Sequence, residues 1–142
     1  DLTMALNGAI AGLVSITAGP DLTNHLMSII IGGFGGVLVV IAIPLLDRLK
    51  IDDVVGAISA HLVAGIWGTL AVGIFGAGDI MVQIIGILAI GVFVVVTSSI
   101  VWLVLKYTVG IRANEEDEDM GLDSAELGLE AYPEFGRGSQ RA

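Results

Sequence analysis

The chain has 142 residues, of which 55% are hydrophobic and 15% are charged, with a formal net charge of −9. A soluble globular domain carries about 25% charged residues, so this composition excludes an ordinary water-exposed surface and favours a membrane protein. The negative balance excludes a nucleic-acid-binding surface, and the absence of cysteine excludes disulfides and thiolate zinc sites. Because the first residue is Asp1 and no basic flank precedes the first apolar run, we expect a fragment or a processed product.

Four apolar stretches approach or exceed the length of about 20 residues that a helix needs to cross a bilayer, the first only marginally. They cover residues 2–18, 27–46, 54–75 and 80–105. None of them contains Asp, Glu, Lys or Arg. The sequence therefore predicts an all-α polytopic membrane protein, with four transmembrane helices within residues 1–109 and an acidic cytoplasmic tail over residues 110–142.

The basic residues predict the orientation of these helices, because Lys and Arg near the ends of a span favour the cytoplasmic side. Arg48 and Lys50 lie in the second connection, and Lys106 and Arg112 follow the fourth span, whereas the first and third connections contain no Lys or Arg. We therefore expect both ends of this segment to be cytoplasmic and the protein to lie in the inner cell membrane.

Glycines occur at the spacing typical of close helix packing. Gly8 and Gly12 form one pair four residues apart, and Gly32 and Gly36 form another. Small residues let helix backbones approach closely where lipid supplies no hydrophobic drive for association. The pattern favours packing over any ligand-binding role for these glycines.

His61 is the most informative residue of the sequence, since it lies about seven residues, or about 10 Å, into the third span. Its neighbours at helical spacing include Ala57, Ile58, Ala64 and Gly65, mostly small residues suited to contact with other helices. An ionisable residue at this depth indicates a substrate pathway or a paired interior site. The alternative is a neutral histidine hydrogen-bonded across a helix interface. A metal site is disfavoured because no second His, Cys or carboxylate accompanies it in the spans.

Asp52 and Asp53 precede the third span. Taken alone, they are typical of carboxylates that stabilise the unpaired N–H groups and the dipole at a helix N-terminus, and we favour this structural role. Asn7 and Thr17 in the first span can satisfy their polar groups by back-bonding or across helix interfaces, and we assign them no chemistry.

The tail changes character after Arg112. Residues 114–119 form an acidic run that we expect to be solvated. Asp123 or Ser124 can cap a short helix over about residues 125–132. The final residues have the composition of a disordered end.

Three motifs, in order along the chain, resemble the ammonium transporter family (Amt/Mep/Rh). Residues 7–19 are similar to the eighth span of that family, and residues 51–75, which include His61, look like its tenth span. The beginning of its cytoplasmic tail resembles Val109-Gly110-Ile111-Arg112, the acidic run, Gly121-Leu122-Asp123 and Glu130-Ala131-Tyr132. Many members have Gly after the histidine, where this chain has Leu62.

The resemblance implies the C-terminal portion of an eleven-helix transporter of ammonium or ammonia, covering about the last four spans and the tail. His61 then corresponds to the second of two paired pore histidines, with Ala57 and Ile58 beside the substrate path. Asp52 and Asp53 match an acidic pair at the cytoplasmic mouth. The resemblance also implies a homotrimer without cofactors and a possible PII-type signalling partner. The tail positions to which it assigns regulation are Gly110, Arg112, Gly121, Leu122, Asp123 and Tyr132.

Two other classes of protein remain as alternatives. The first is a non-transporting membrane module for assembly or regulation, in which His61 is only packed and the acidic tail binds a partner. The second is an intramembrane enzyme, which we disfavour because the spans contain no nucleophile–base pair or metal-ligand set.

Overall fold

The computed structural model describes residues 1–22 and 24–132, so residues 133–142 of the predicted tail, with their expected disorder, lie outside the described part. The described residues form helices and no strand, which confirms the all-α prediction. The chain divides into two compact units, Asp1–Val94 and a second one that begins at Val95.

Helices follow one another with short connections. In chain order they are α1 (Leu2–Thr17), α2 (His25–Arg48), a π-helical segment (Ile58–Val63), α3 (Ala64–Phe75), α4 (Ile80–Thr108), α5 (Glu115–Met120) and α6 (Leu122–Leu127). The π-helical segment runs directly into α3, and together they form one continuous apolar helix, Ile58–Phe75. This helix begins four residues later than the apolar stretch from which we predicted it, because residues 54–56 form a turn ahead of it and Ala57 is its N-cap residue.

Three helices among the described residues are long and apolar enough to cross a bilayer: α2, the helix Ile58–Phe75, and α4. Helix α1 is apolar but has 16 residues. Its length is about 24 Å, against about 30 Å of hydrocarbon in a typical bilayer. The structure therefore does not confirm the predicted count of four spans.

Helices α1 and α2 meet through the two glycine pairs. A Cβ atom added at Gly12 would lie 3.3 Å from the carbonyl oxygen of Gly32, and one added at Gly36 would lie 3.4 Å from that of Gly8. A side chain at Gly12, Gly32 or Gly36 would therefore be crowded by the backbone of the other helix, whereas a Cβ added at Gly8 meets nothing within 4 Å. This geometry confirms the close helix packing that the two glycine pairs predicted.

Helix α1 is the central element of the first unit, because α2 and the helix Ile58–Phe75 both pack on it. Its buried residues recur every fourth position, at Asn7, Ala11 and Ser15. The Ser15 hydroxyl donates a hydrogen bond of 2.7 Å to the Ala11 carbonyl. A Cβ added at Gly35 of α2 or at Gly68 of α3 would collide with Ser15. Three helices therefore converge at Ser15.

The tail agrees with one prediction and departs from another. The acidic run is mostly exposed, as expected, and it also forms α5, whose N-terminus is capped by Asn114 with a hydrogen bond of 2.8 Å from the Asp117 N–H. The predicted helix over residues 125–132 was wrong, because α6 ends at Leu127 and Gly128 adopts a left-handed conformation with φ of +68°. Left-handed backbone terminates a helix, and glycine adopts it at little cost.

Candidate functional site

His61 lies in the π-helical segment, on the side of the helix that α1 and α2 leave uncovered. The residue before it, Ala60, is 1% exposed and belongs to the core, whereas His61 itself is exposed in the described chain. Ala57 is also exposed, and Ile58 is half-buried. These three residues, predicted to border a substrate path, therefore lie within one or two turns of each other.

The π-helical segment was not predicted from the sequence. Such segments widen a helix by one residue per turn, and they are frequent at functional sites. The segment ends at Ala64, the first residue of α3, whose N–H donates to the carbonyl of His61 three residues earlier. The sequence carries a signal only for the turn ahead of the segment: Gly56, because a glycine so close to the start of an apolar helix indicates a special backbone conformation.

Asp53 caps the N-terminus of the π-helical segment. One oxygen of its carboxylate accepts the Ile58 N–H at 2.9 Å, and the other accepts both the N–H and the hydroxyl of Ser59, each at 3.1 Å. The structural role predicted for this acidic pair is therefore confirmed for Asp53. Desolvation raises the pKa of the Asp53 carboxyl, but the hydrogen bonds from Ile58 and Ser59 outweigh it and hold that pKa below its ordinary value.

Asp52 differs from Asp53, because the Asp52 side chain is exposed and accepts none of the hydrogen bonds that Asp53 accepts. No group of three His, Cys, Asp or Glu residues within residues 1–22 and 24–132 is arranged to hold a metal ion.

Trp67 ties the helix that carries His61 to α2. Its indole N–H donates a hydrogen bond of 3.0 Å to the Ile31 carbonyl. Its ring packs on Phe34 with centroids 4.5 Å apart and on Phe75 with centroids 6.4 Å apart. A small cavity of about 20 Å³ lies near this region, lined in part by Ile31 and Gly68, and has room for about one water molecule.

Asp123 organises the tail segment that resembles the cytoplasmic tail of the family. Its carboxylate accepts the Ala131 N–H at 2.7 Å and the Ser124 N–H at 2.9 Å. These two hydrogen bonds hold the pKa of the Asp123 carboxyl below its ordinary value, and the bond from Ala131 lowers it more than the bond from Ser124 does. Gly110 and Gly121 have φ of +81° and +94°, so each supports a sharp turn.

The remaining tail positions are exposed. Arg112 is exposed, Leu122 is 44% exposed and Tyr132 is 70% exposed. Leu127 and Leu129 are 74% and 72% exposed, so these two leucines, Leu122 and Tyr132 all present apolar side chains to solvent in the described chain.

By their length and composition, the apolar helices of the described residues indicate a helical membrane protein. Residues 1–132 match the Ammonium Transporter Family, and the chain belongs to that family. A protein of Synechocystis sp. is 40% identical over 90% of this chain. Ammonium transporter Amt1 of Haloferax mediterranei is 38% identical over 91% of the chain, and ammonium transporter Amt2 of Methanocaldococcus jannaschii is 37% identical over 94%.

The chain spans only a part of these relatives: 30%, 26% and 34% of their respective lengths. The family is therefore shown for this segment, which matches proteins named as transporters rather than as enzymes.

Proposed function

We propose that this chain is the C-terminal portion of an ammonium transporter and that His61 borders the path of ammonium or ammonia through the membrane. The observation that carries the proposal is the family match over residues 1–132, together with a histidine exposed on an apolar helix of membrane-spanning length. The side of this helix that α1 and α2 leave uncovered is available to further helices of the transporter. Ala57 and Ile58 border the same path, and no cofactor takes part.

The chemistry of imidazole suits this role. Moving an ammonium ion into hydrocarbon costs many kcal/mol because the ion loses its hydration, whereas neutral ammonia needs only a few hydrogen-bond partners. A neutral imidazole has one nitrogen that donates and one that accepts, so it can serve ammonia or relay a proton separately. His61 supplies an imidazole in a stretch where the adjacent side chains, such as Ala57 and Leu62, are apolar.

The test is a pair of substitutions in the full-length transporter. His61→Leu removes the hydrogen-bonding group and should abolish methylammonium uptake, while His61→Glu should admit cations and alter the current. His25→Leu is the matched control, since His25 is the other histidine of the chain and lies at the start of α2. Uptake and exclusion of potassium equal to the parent in His61→Leu would reject the pore role. The assembly or regulatory module would then be the better explanation.

The proposal includes four spans, of which α1 is tilted little and has its ends near the bilayer surface. The protein lies in the inner cell membrane, and both ends of the segment are in the cytoplasm. The distribution of Lys and Arg supports this orientation. Asp52 and Asp53 then lie at the cytoplasmic mouth. A reporter fused after Arg112 should be active only in the cytoplasm, and activity on the outer side would refute the topology.

For the tail, we propose that it docks on the cytoplasmic face of a homotrimer, where a PII-type protein can reach it. The support is the exposure of Leu127, Leu129 and Tyr132, which are 74%, 72% and 70% exposed. Burying such side chains contributes about 1.5–3 kcal/mol each. Truncation after Gly110 should reduce uptake without loss of membrane insertion. Normal uptake by the truncated transporter would contradict tail docking.

A further inference from the structure

Asn7 of α1 packs directly against the turn that precedes the π-helical segment. Asn7 is 6% exposed. A Cβ added at Gly56 would lie 2.7 Å from the Asn7 Nδ2, 3.1 Å from its Cγ and 3.3 Å from its Oδ1. All three atoms of the amide group are therefore close to the Gly56 backbone, and no larger residue fits at position 56 while the amide is in place.

Gly56 is the point where the turn passes into the helix. Its φ of +74° lies in the left-handed region that favours glycine. Its N–H donates to the Asp53 carbonyl at 3.0 Å, and its own carbonyl accepts the Ala60 N–H at 2.8 Å. A shift of Gly56 would therefore change both the turn that positions the Asp53 cap and the first turn of the helix.

A second contact with α1 lies on the other side of His61. The Ser15 hydroxyl oxygen is 3.5 Å from the Ala64 carbonyl oxygen, and a Cβ added at Gly68 would lie 2.5 Å from the Ser15 carbonyl oxygen. Asn7 and Ser15 are separated on α1 by eight residues, or about 12 Å. The π-helical segment is thus held between two contacts with one continuous α-helix.

We propose that Asn7 is a positioning residue for His61, an inference that rests on the proposed transport function. The Asn7 amide holds the Gly56 turn and so preserves the wide helical turn that directs the imidazole to the uncovered side. Without the amide, the segment can wind as an ordinary α-helix, in which one residue corresponds to about 100° of rotation. Because His61 directly follows the buried Ala60, such a rotation would turn the His61 side chain from the uncovered side towards the core.

The first experiment measures transport in the full-length protein reconstituted in vesicles. Asn7→Ala should reduce the discrimination of ammonium over potassium by about tenfold, with normal expression and assembly. Asn24→Ala is the matched control: the same substitution removes the cap of α2, where the Asn24 side chain accepts the Met27 N–H at 3.2 Å. Discrimination equal to the parent in Asn7→Ala would overturn the proposal, as would an equal loss in Asn24→Ala.

The second experiment measures the position of residue 61 without transport. This chain has no cysteine, so His61→Cys introduces a single thiol into it, and cysteines elsewhere in the full-length protein are replaced by serine. The thiol should react with a small methanethiosulfonate reagent about tenfold more slowly when Asn7→Ala is added. Adding Gly56→Ala to His61→Cys should slow the reaction similarly. Adding Asn7→Ala and Gly56→Ala together should slow the reaction no more than either substitution does alone. Unchanged labelling would overturn the positioning role.

The two proposals fail separately. If His61→Leu transports like the parent, the pore role fails, whereas the labelling rates still test whether Asn7 positions residue 61. If His61→Leu abolishes transport and Asn7→Ala changes neither discrimination nor labelling, only the positioning role fails.

Discussion

Replacing Asp53 by alanine should release the start of the π-helical segment. The substitution removes three hydrogen bonds, two from the Ile58 and Ser59 N–H groups and one from the Ser59 hydroxyl. Loss of an N-cap costs about 0.5–2 kcal/mol, and loss of a negative charge at a helix N-terminus costs about 0.3–1 kcal/mol more. A total of about 2 kcal/mol corresponds to a roughly 30-fold increase in local opening.

Amide hydrogen exchange in the full-length protein is the appropriate assay, because it reports local opening without requiring reversible unfolding. The Ile58 and Ser59 amides should exchange roughly 30-fold faster in Asp53→Ala, while amides late in α3 should be unaffected. Asp52→Ala is the matched control, since Asp52 is exposed and adjacent. Unchanged exchange at Ile58 and Ser59, or an equal acceleration in Asp52→Ala, would show that the capping argument is mistaken.

The same cap should depend on pH. The pKa of Asp53 in the folded protein is lowered, so its contribution to stability is complete above the unfolded value of about 3.9 and is lost as the pH falls through the lower folded value. Protection of the Ile58 amide, corrected for intrinsic exchange, should therefore decline in acid. Asp53→Asn should remove this decline, and an identical acid dependence in that variant would assign it to another group.

Two further predictions concern packing and the tail. Gly35→Ala should destabilise the protein by about 1–3 kcal/mol, because the new Cβ collides with Ser15. Gly33→Ala, whose Cβ meets nothing within 4 Å, should raise the thermal inactivation temperature instead, and equal effects would refute the packing argument. Asp123→Ala should speed exchange of the Ala131 amide, which loses its 2.7 Å hydrogen bond; unchanged exchange would show that this bond does not order the tail.

Much of the helical arrangement follows from the sequence because the relevant physics is local. The apolar stretch at residues 80–105 overlaps α4, Ile80–Thr108, since any helix-compatible run of that length satisfies its own backbone hydrogen bonds. The glycine pairs of α1 and α2 were also recognisable, because spacing by four residues places both members on one helix face.

The tail shows where local reasoning reached its limit. The sequence contains the residues that end α6, yet their effect depends on Gly128 adopting positive φ and on Asp123 accepting a bond from Ala131, eight residues later. Local propensity disfavours a helix that continues through Gly128, since glycine in a helix interior costs about 1 kcal/mol relative to alanine, but propensity does not specify how the chain turns there. The hydrogen bond to Ala131 draws the chain back and favours the shorter helix.

The sequence by itself determined the membrane class, the family resemblance and His61 as the candidate pore residue, since these depend on composition and on short motifs. Only the tertiary structure decided that His61 lies in a π-helical segment, held by Asp53 within the turn and by Asn7 from α1. The α- and π-helical hydrogen-bond patterns differ by one residue per turn, a difference too small for hydropathy to detect. Contacts between residues far apart in sequence, such as Asn7 with Gly56, select between them.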